Sequence, residues 1–531
     1  MAPHGNMALP QGNGIRDRVL SKTSATTGHL EDQTLDLDAR TMAIMGKRQR
    51  LSRNFGMISL VAFSTTLLAS WESFACTFQS GLINGGPASL IYGLVLSFLG
   101  SLATCASLAE MASMAPTSGG QYHWVAELAP VKFATSFSWA AGWVTTFARL
   151  AVTASAAYVA GTMIQGLFVL NIESYVPERW HGTLLYCAVI SCSAGVNILG
   201  IRYFPHIETL AFILHISFLF IFLVPLVYLS PQSSSSFVFA DFENSGGWSN
   251  NGISWCIGLL TSAWCFVGID GTVHMSEEVK DAAIVVPRSM IIALLVSGML
   301  TIGLSIALLF SIGDIKTALS SHTNFPVIEI FYRATQSKRA TTAMMVALIS
   351  TLVFATFGTL ASASRLIWAF ARDNGLPFSI YFAHVDKRHT IPVRAILLMT
   401  IIAMFLGLVN LGSSTAFNAM ISLALIGHYS SYLLPITLLV MRRFGKKHIP
   451  FGPFKLGRFG LLINMFSIFY SVLLIVFMVF PPYQPVTVEN MNYSSVIFGA
   501  VLLLSLILWF IYGRVGYRGP VRDVIEEMHL H

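Results

Sequence analysis

Residues 261–274, TSAWCFVGIDGTVH, interrupt an otherwise apolar run and decide how the chain is interpreted. Gly268 and Gly271 flank Asp270, and neither glycine nor aspartate favours the middle of a helix. A helix that unwinds inside a membrane frees backbone N–H and C=O groups, which then need a ligand, water or a side chain as partner. The stretch therefore predicts an interrupted membrane helix with a binding role. Close helix packing through the two glycines is the alternative.

The composition places this stretch in a membrane. Of 531 residues, 54% are hydrophobic and 11% are charged, whereas soluble globular proteins carry about 25% charged residues. This excludes a water-soluble globular protein, a disordered chain and a disulfide-stapled secreted scaffold. The net charge of +7 resides in short loops between apolar spans, so it indicates membrane topology and gives no reason to expect nucleic acid as a partner.

Twelve apolar segments, each long enough for a helix of about 20 residues, follow a polar N-terminal region. They predict an all-α membrane protein with about twelve transmembrane helices, because they lack the alternation of strands. Residues 1–50 are expected to be a disordered cytosolic tail and residues 516–531 a cytosolic C-terminal tail. We place the helices at residues 55–80, 85–111, 133–166, 183–200, 207–229, 252–274, 289–312, 341–370, 392–410, 415–440, 460–480 and 494–513.

Lysine and arginine concentrate in alternate loops, and this asymmetry predicts the orientation of the chain. Basic residues precede span 1, separate spans 8 and 9, and follow span 12. The loop between spans 10 and 11 is the richest, with Arg442, Arg443, Lys446, Lys447, Lys455 and Arg458. Since basic loops stay in the cytosol, both termini are expected there. The loop 313–340 also carries basic residues and weakens the asymmetry.

Ionisable side chains inside the spans are the candidate functional residues, because a charge at a helix centre costs about 2.5–3.5 kcal/mol on insertion scales. Span 1 carries Ser70, Trp71 and Glu72, five spans before Asp270. The indole of Trp71 is a candidate for holding an alkylammonium group by cation–π attraction. The other candidates within the spans, for coupling or gating, are Arg149, His215 and His428.

Each of these candidates has a structural alternative. Arg149 can form a static ion pair with Glu72 or Asp270, or one of the two carboxylates can meet the ammonium group of a substrate. His215 is suited to proton exchange, but it can equally be a buried imidazole hydrogen-bonded to a neighbouring helix. His428 can likewise belong to a polar contact between helices.

Several loop motifs are familiar as a set. They are SLAEMASMAP at 107–116 with TSGGQYHW at 117–124, SEEVKD at 276–281 with VPR at 286–288, ASR at 363–365 with ARDNGLP at 371–377, and IPVRA at 391–395. Together they resemble the amino acid–polyamine–organocation (APC) transporter superfamily. The similarity is greatest to its fungal amino acid/choline transporter branch, with choline and GABA permeases, and covers about residues 50–515.

This resemblance implies a LeuT-like fold within a transporter domain at 51–515. Inverted repeats of five helices would cover about 55–229 and 252–440, and two peripheral helices would follow at 460–480 and 494–513. The resemblance further implies a multi-pass protein of the plasma membrane and a substrate bound between helices 1, 3, 6, 8 and 10. The expected substrate-binding residues are Ser70, Trp71, Glu72, Gly268, Asp270 and Gly271.

The chain departs from the family pattern in helix 1. Family members often bind a substrate carboxylate on the N–H groups of a glycine-rich break there, but residues 66–73 contain no glycine. Together with Glu72, this favours a cationic or zwitterionic amine over an acidic amino acid. After span 6, Glu277, Glu278, Lys280 and Arg288 are expected to form an inner gate with basic residues of neighbouring loops, or else a solvated charge run.

The sequence thus predicts a secondary active transporter that moves a small nitrogenous solute, such as an amino acid, GABA or choline, by alternating access. No GxxxxGK[ST] motif is present, so coupling to protons or to the membrane potential is expected instead of ATP hydrolysis. An exporter of an amine or alkaloid metabolite of a fungal pathway and a non-transporting solute sensor are the alternatives. We expect no enzyme activity, catalytic residue, metal or cofactor. The expected partners are the solute and the lipid bilayer, with protons as the candidate coupling ion.

Overall fold

The two interrupted spans organise the fold, seen here in a computed structural model. The structure describes residues 45–319, 323, 325–386, 390–412, 416–488 and 490–520, together with 38, 42 and 43. Most of the predicted tails, 1–50 and 516–531, therefore lie outside the described residues. In the part of the chain that is described, secondary structure is helical except for two isolated β-bridges. Residues 50–521 form one unit.

The apolar segments form helices, which we number by predicted span. They are α1a (Met57–Leu68), α1b (Ser70–Thr77), α2 (Gly86–Met114), α3 (Val131–Asn171), α4 (Arg179–Leu199), α5 (Phe204–Tyr228), α6 (Asn251–Trp264), α7 (Ala282–Ser311), α8 (Lys338–Arg372), α9 (Val393–Gly407), α10 (Ala416–Phe444), α11 (Gly460–Phe477) and α12 (Ser494–Leu508). Eleven spans among the described residues are long and apolar enough to cross a membrane. The predicted segment 252–274 is missing from these eleven because its helix ends at Trp264.

The first span breaks at Ala69, between α1a and α1b. Ala69 adopts the left-handed conformation, with φ 41° and ψ 48°. For a residue with a Cβ atom this conformation costs about 1–2 kcal/mol, so the surrounding packing must hold it. The helix thus unwinds one residue before Ser70 even though it contains no glycine.

The sixth span unwinds between α6 and a short 3₁₀ helix, Val273–Glu278. Gly268 has φ +88°, which an L side chain rarely adopts. A Cβ on Gly271 would lie 2.6 Å from Leu67 Cδ1, so close packing against α1a also requires glycine there. The freed carbonyls find partners: Arg149 donates to Gly268 O at 3.2 Å, and Ser362 Oγ donates to Gly271 O at 3.0 Å.

The helices around these breaks form the buried core. Helix α3 packs along α8 and α10, and α2 packs along α7. By contrast, the span that contains α12 is the least buried of the eleven, and α12 exposes large apolar side chains such as Leu503 and Leu506. Apolar surface of this kind suits contact with lipid, as expected for a peripheral helix.

Candidate functional site

A small cavity lies between the two breaks and is the centre of the candidate site. It has a volume of about 30 Å³. Its walls are apolar apart from the hydroxyls of Ser73 and Thr359, and small-solute sites commonly combine apolar walls with a few polar groups. The lining residues are Leu67, Leu68, Ala69, Ser73, Val152, Ala156, Val159, Trp264, Val267, Leu352, Ala355 and Thr359. The cavity thus draws on α1, α3, α8 and the end of α6.

Asp270, in the unwound part of span 6, is the most heavily contacted acid of the site. Its carboxylate pairs with Arg149 of α3 and accepts hydrogen bonds from Gln121 Nε2 and Tyr432 Oη, each at 2.5 Å. His274 Nε2 lies 3.3 Å from the same carboxylate. Both members of the ion pair are buried. Of the partners left open for Arg149 by the sequence, the structure places Asp270 beside it.

His428 lies at the edge of this group. Its Nε2 is 3.9 Å from Asp270 Oδ1, beyond hydrogen-bond range. Its Nδ1 donates to Ala424 O, one turn earlier in α10, at 2.9 Å. His428 therefore adds a buried positive charge beside Asp270 only if it is protonated. As a neutral imidazole it is part of the polar contact between α10 and the break.

Glu72 and His215 form a second buried group, separate from Asp270. His215 Nδ1 of α5 donates to Glu72 Oε1 at 2.6 Å. The Trp71 ring lies 5.7 Å from the His215 ring and 5.3 Å from Phe222, measured between centroids. Neither Trp71 nor Glu72 borders the cavity between the breaks. Glu72 Oε2, His215 Nε2, Trp71 Nε1 and Ser70 Oγ are buried without a hydrogen-bond partner.

A third buried acid, Glu208, was not among the sequence candidates. It lies at the start of α5, and its Oε2 accepts a hydrogen bond from Thr66 Oγ1 at 2.5 Å. Its other carboxylate oxygen has no partner. Glu208 stands at the start of the predicted span 207–229, and nothing in the sequence indicates that it is buried.

The end of the bundle at which Glu277, Glu278, Arg365 and Arg372 lie is closed by ion pairs. We call it the basic end. Glu277 forms two contacts with Arg372 of α8, at 2.8 and 3.0 Å, and Glu278 accepts from Arg365 Nε at 2.7 Å. All four side chains are buried. The backbone of Phe55, just before α1a, bonds to Glu278 O at 3.0 Å. These contacts join the start of span 1 to the ends of spans 6 and 8.

Tyr122 adds a neutral contact to this end. It lies on the connecting helix Gln121–Leu128 and donates to Asp373 Oδ2 at 2.8 Å. Burial, with a further contribution from the charge of Asp373, raises the pKa of the Tyr122 phenol well above its usual range, so the phenol remains a donor. The predicted gate residues Lys280 and Arg288 lie at the same end but are exposed, outside the buried ion pairs.

The opposite end of the bundle contains a larger cavity. A cavity of about 400 Å³ lies there, bordered by Thr77, Tyr158, Thr162, Glu178 and Asn410 among others. Successive turns of α1b and α3 line first the small cavity and then this larger one. In the described part of the chain, no group of three or more His, Cys, Asp or Glu side chains could hold a metal ion. The two cavities thus lie along α1b and α3 on the side away from the buried ion pairs of the basic end.

Comparison with known proteins identifies the family. The sequence model of the amino acid permease family matches residues 55–503. The chain belongs to the amino acid permease family. This permease is 30% identical to the choline transporter of Saccharomyces cerevisiae over 90% of its own length and 85% of the relative's. The resemblance inferred from the loop motifs is thereby confirmed, as is the all-helical membrane fold.

Other relatives of this permease carry amino-acid permease names. It is 30% identical to amino-acid permease BAT1 of Arabidopsis thaliana, over 91% of this chain and 96% of that one. It is 28% identical to amino-acid permease 2 of Neurospora crassa, over 91% and 89% of the two chains. The family and these relatives indicate a multi-pass membrane protein of the permease class, not an enzyme.

Proposed function

We propose that the protein is a secondary active transporter of a small cationic or zwitterionic amine and works by alternating access. The observation that carries this proposal is the pair of helix breaks at one small cavity, with a larger cavity on the next turns of α1b and α3 and buried ion pairs at the opposite end of the bundle. The repeats are proposed at about 55–229 and 252–440. We place the basic end in the cytosol and the protein in the plasma membrane.

The chemistry of the cavity favours a cation. The last carbonyls of a helix lack partners within the helix and carry partial negative charge. Helices α1a and α6 both end at the cavity, where Leu67, Leu68 and Trp264 line its wall. The indole face of Trp264 can add cation–π attraction, and the apolar side chains suit methyl or methylene groups. The names of the choline and amino-acid relatives support the same class of solute.

Replacement of Trp264 by leucine is expected to raise the KM for a cationic substrate about five- to thirty-fold, the equivalent of ~1–2 kcal/mol of lost cation–π attraction. Initial rates of labelled choline uptake against concentration measure this change. Trp71→Leu is the matched control, because that indole packs on His215 and Phe222 outside the cavity. A larger rise in KM for Trp71→Leu than for Trp264→Leu would move the cation site to Trp71.

Glu72 is proposed to attract the cation from just outside the cavity. It adjoins Ser73, which borders the cavity, and one of its carboxylate oxygens has no partner. Glu72→Gln removes this negative charge, so we expect about a tenfold higher KM for a cation and little change for a neutral zwitterion. Uptake of labelled choline and proline by both proteins tests this. Equal effects on the two solutes would make Glu72 a structural residue.

The membrane potential can supply the driving force. One elementary charge moving through 100 mV gains about 2.3 kcal/mol, which corresponds to roughly fifty-fold accumulation of a monocation. Protons remain a proposed alternative, with His215 and Glu72 as the pair that would carry them. Uptake of labelled choline, GABA, lysine and proline by a permease-deficient cell tests the proposal as a whole. A non-transporting sensor would saturate at one solute per chain, and an exporter would deplete solute already inside the cell.

A further inference from the structure

The loop that joins α10 to α11 carries an unusual concentration of exposed positive charge. Within residues 444–459, which we call the basic loop, the side chains of Lys446, Lys447, Lys455 and Arg458 are exposed. No Asp or Glu occurs between Asp386 and Glu489, so the surrounding sequence offers no local neutralisation. The transport mechanism proposed above uses none of these four side chains.

Exposed aromatic rings accompany these charges. Phe444, Phe451 and Phe459 expose 64%, 39% and 55% of their surface. Arg458 lies over the Phe459 ring at 4.8 Å from its centroid. Phe444 ends α10, Phe459 directly precedes α11, and Phe451 lies in the loop between them, so we expect the rings near the boundary between hydrocarbon and headgroups. Aromatic rings beside cationic groups are suited to that boundary, whereas a nucleic acid or an acidic protein would not call for three apolar rings there.

The loop is fixed to the ends of neighbouring helices. Glu110 of α2 pairs with Arg443 and accepts a hydrogen bond from Leu456 N at 2.9 Å. Ser113 Oγ accepts from Phe454 N at 2.9 Å and donates to Ala283 O of α7 at 2.7 Å. A ligand that holds the loop in place therefore also holds the inner ends of α2 and α7.

Helix α10 extends this connection into the core. At its end, Arg442 donates to Leu128 O at 2.9 Å and to Glu127 O at 2.5 Å, on the connecting helix that also carries Gln121. Three turns earlier, Tyr432 of α10 contacts Asp270. Through α10 the basic loop is thus linked both to the helix that carries Gln121 and to Tyr432, two of the residues that contact Asp270.

We propose that the basic loop binds the headgroups of anionic phospholipids and thereby stabilises the arrangement in which the basic end is closed. The phosphate and carboxylate groups of such lipids match the four exposed cations, and their acyl chains match the exposed rings. The inference concerns a surface separate from the cavity, and it stands whether or not the solute is a cationic amine.

Thermal unfolding of the full-length protein in detergent tests the proposal without measuring transport. We expect mixed micelles containing phosphatidylserine to raise the Tm by several degrees relative to phosphatidylcholine micelles. The variant with Lys446, Lys447, Lys455 and Arg458 all replaced by glutamine is expected to lose this rise. The matched control replaces Lys132, Arg202, Arg514 and Arg518, which are exposed at other helix ends, and is expected to retain it.

Three outcomes would overturn the proposal. The first is a wild-type Tm that does not respond to phosphatidylserine. The second is an equal loss of response in the basic-loop variant and in the control, which would show attraction to the net charge alone. The third is an equal rise in Tm with inorganic phosphate at the same concentration, which would assign the loop to a free anion instead of a lipid.

Discussion

Arg149→Gln is expected to lower the free energy of unfolding by about 3–5 kcal/mol and to abolish transport. Arg149 and Asp270 are 1% and 0% exposed, and removing one partner of a buried ion pair leaves an uncompensated charge. The loss also removes the donor to Gly268 O, so the break in span 6 loses one of its supports. Thermal unfolding of the purified protein in detergent, together with uptake by cells, measures both effects.

The double variant Arg149→Gln, Asp270→Asn is the control for this experiment. It removes both charges, and buried ion pairs can often be replaced by neutral groups at little cost. We expect it to recover most of the lost stability, since the asparagine oxygen can accept from Tyr432, which contacts Oδ1 of Asp270, and its amide nitrogen can donate to Gln121 Oε1 once that amide turns over. An Arg149→Gln protein as stable as wild type would show that this pair does not hold the bundle together.

Arg372→Glu is expected to open the basic end and to reduce transport at least tenfold. In the unsubstituted protein Arg372 contacts Glu277 at 2.8 Å. The substitution therefore places two carboxylates side by side, and buried like charges repel strongly. A cysteine at Thr117, which is fully buried beside this gate, should then react at least tenfold faster with a charged thiol reagent. The rate of modification is measured with Cys187, Cys192 and Cys256 replaced by serine, since these three are not fully buried.

Two further variants make the gate experiment specific. The exchange Glu277→Arg with Arg372→Glu restores opposite charges and should slow the modification again. Lys338→Glu breaks an exposed pair with Glu173 at the opposite end of the bundle, and exposed pairs contribute little, so it should change neither rate. Unchanged reactivity of the Thr117→Cys thiol in Arg372→Glu would mean that the ion pair does not close the path.

The sequence predicts the spans well because hydropathy is a local property. Every predicted span contains a helix, and the interruption at Gly268 follows from the conformational freedom of glycine at φ +88°. For the break at Ala69 the sequence offers only the polar neighbours Ser70 and Glu72 within an apolar span. Alanine gives no sign in the sequence that it will adopt a left-handed conformation, because tertiary packing imposes it.

The partners of the buried charges were harder to predict because they come from distant parts of the chain. Gln121 and Tyr432 reach Asp270 from a connecting helix and from α10, and no spacing rule brings them together. Arg365 and Arg372 appeared in a family motif, but their pairing with Glu278 and Glu277 depends on how α8 meets the loop after span 6. Glu110 likewise appeared in a loop motif, but its pairing with Arg443 could not be predicted from the sequence.

The orientation of side chains around α1b could not be read from the sequence either. Ser70, Trp71 and Glu72 are adjacent in the chain, yet on a helix adjacent residues point in different directions. Ala69 and Ser73 face the cavity, whereas Trp71 packs against α5. The aromatic residue at the cavity is Trp264, which precedes the second break and was assigned no role from the sequence.

Uptake into vesicles that contain only the purified protein tests the central claim most directly. Labelled choline, lysine, GABA and proline are offered to proteoliposomes with an imposed membrane potential, negative inside, and without it. The account predicts saturable uptake of at least one cationic member of the panel, many copies per protein molecule, increased by the potential and impaired by Trp264→Leu. Uptake that stops at one solute per chain, or that is absent for every cation, would contradict it.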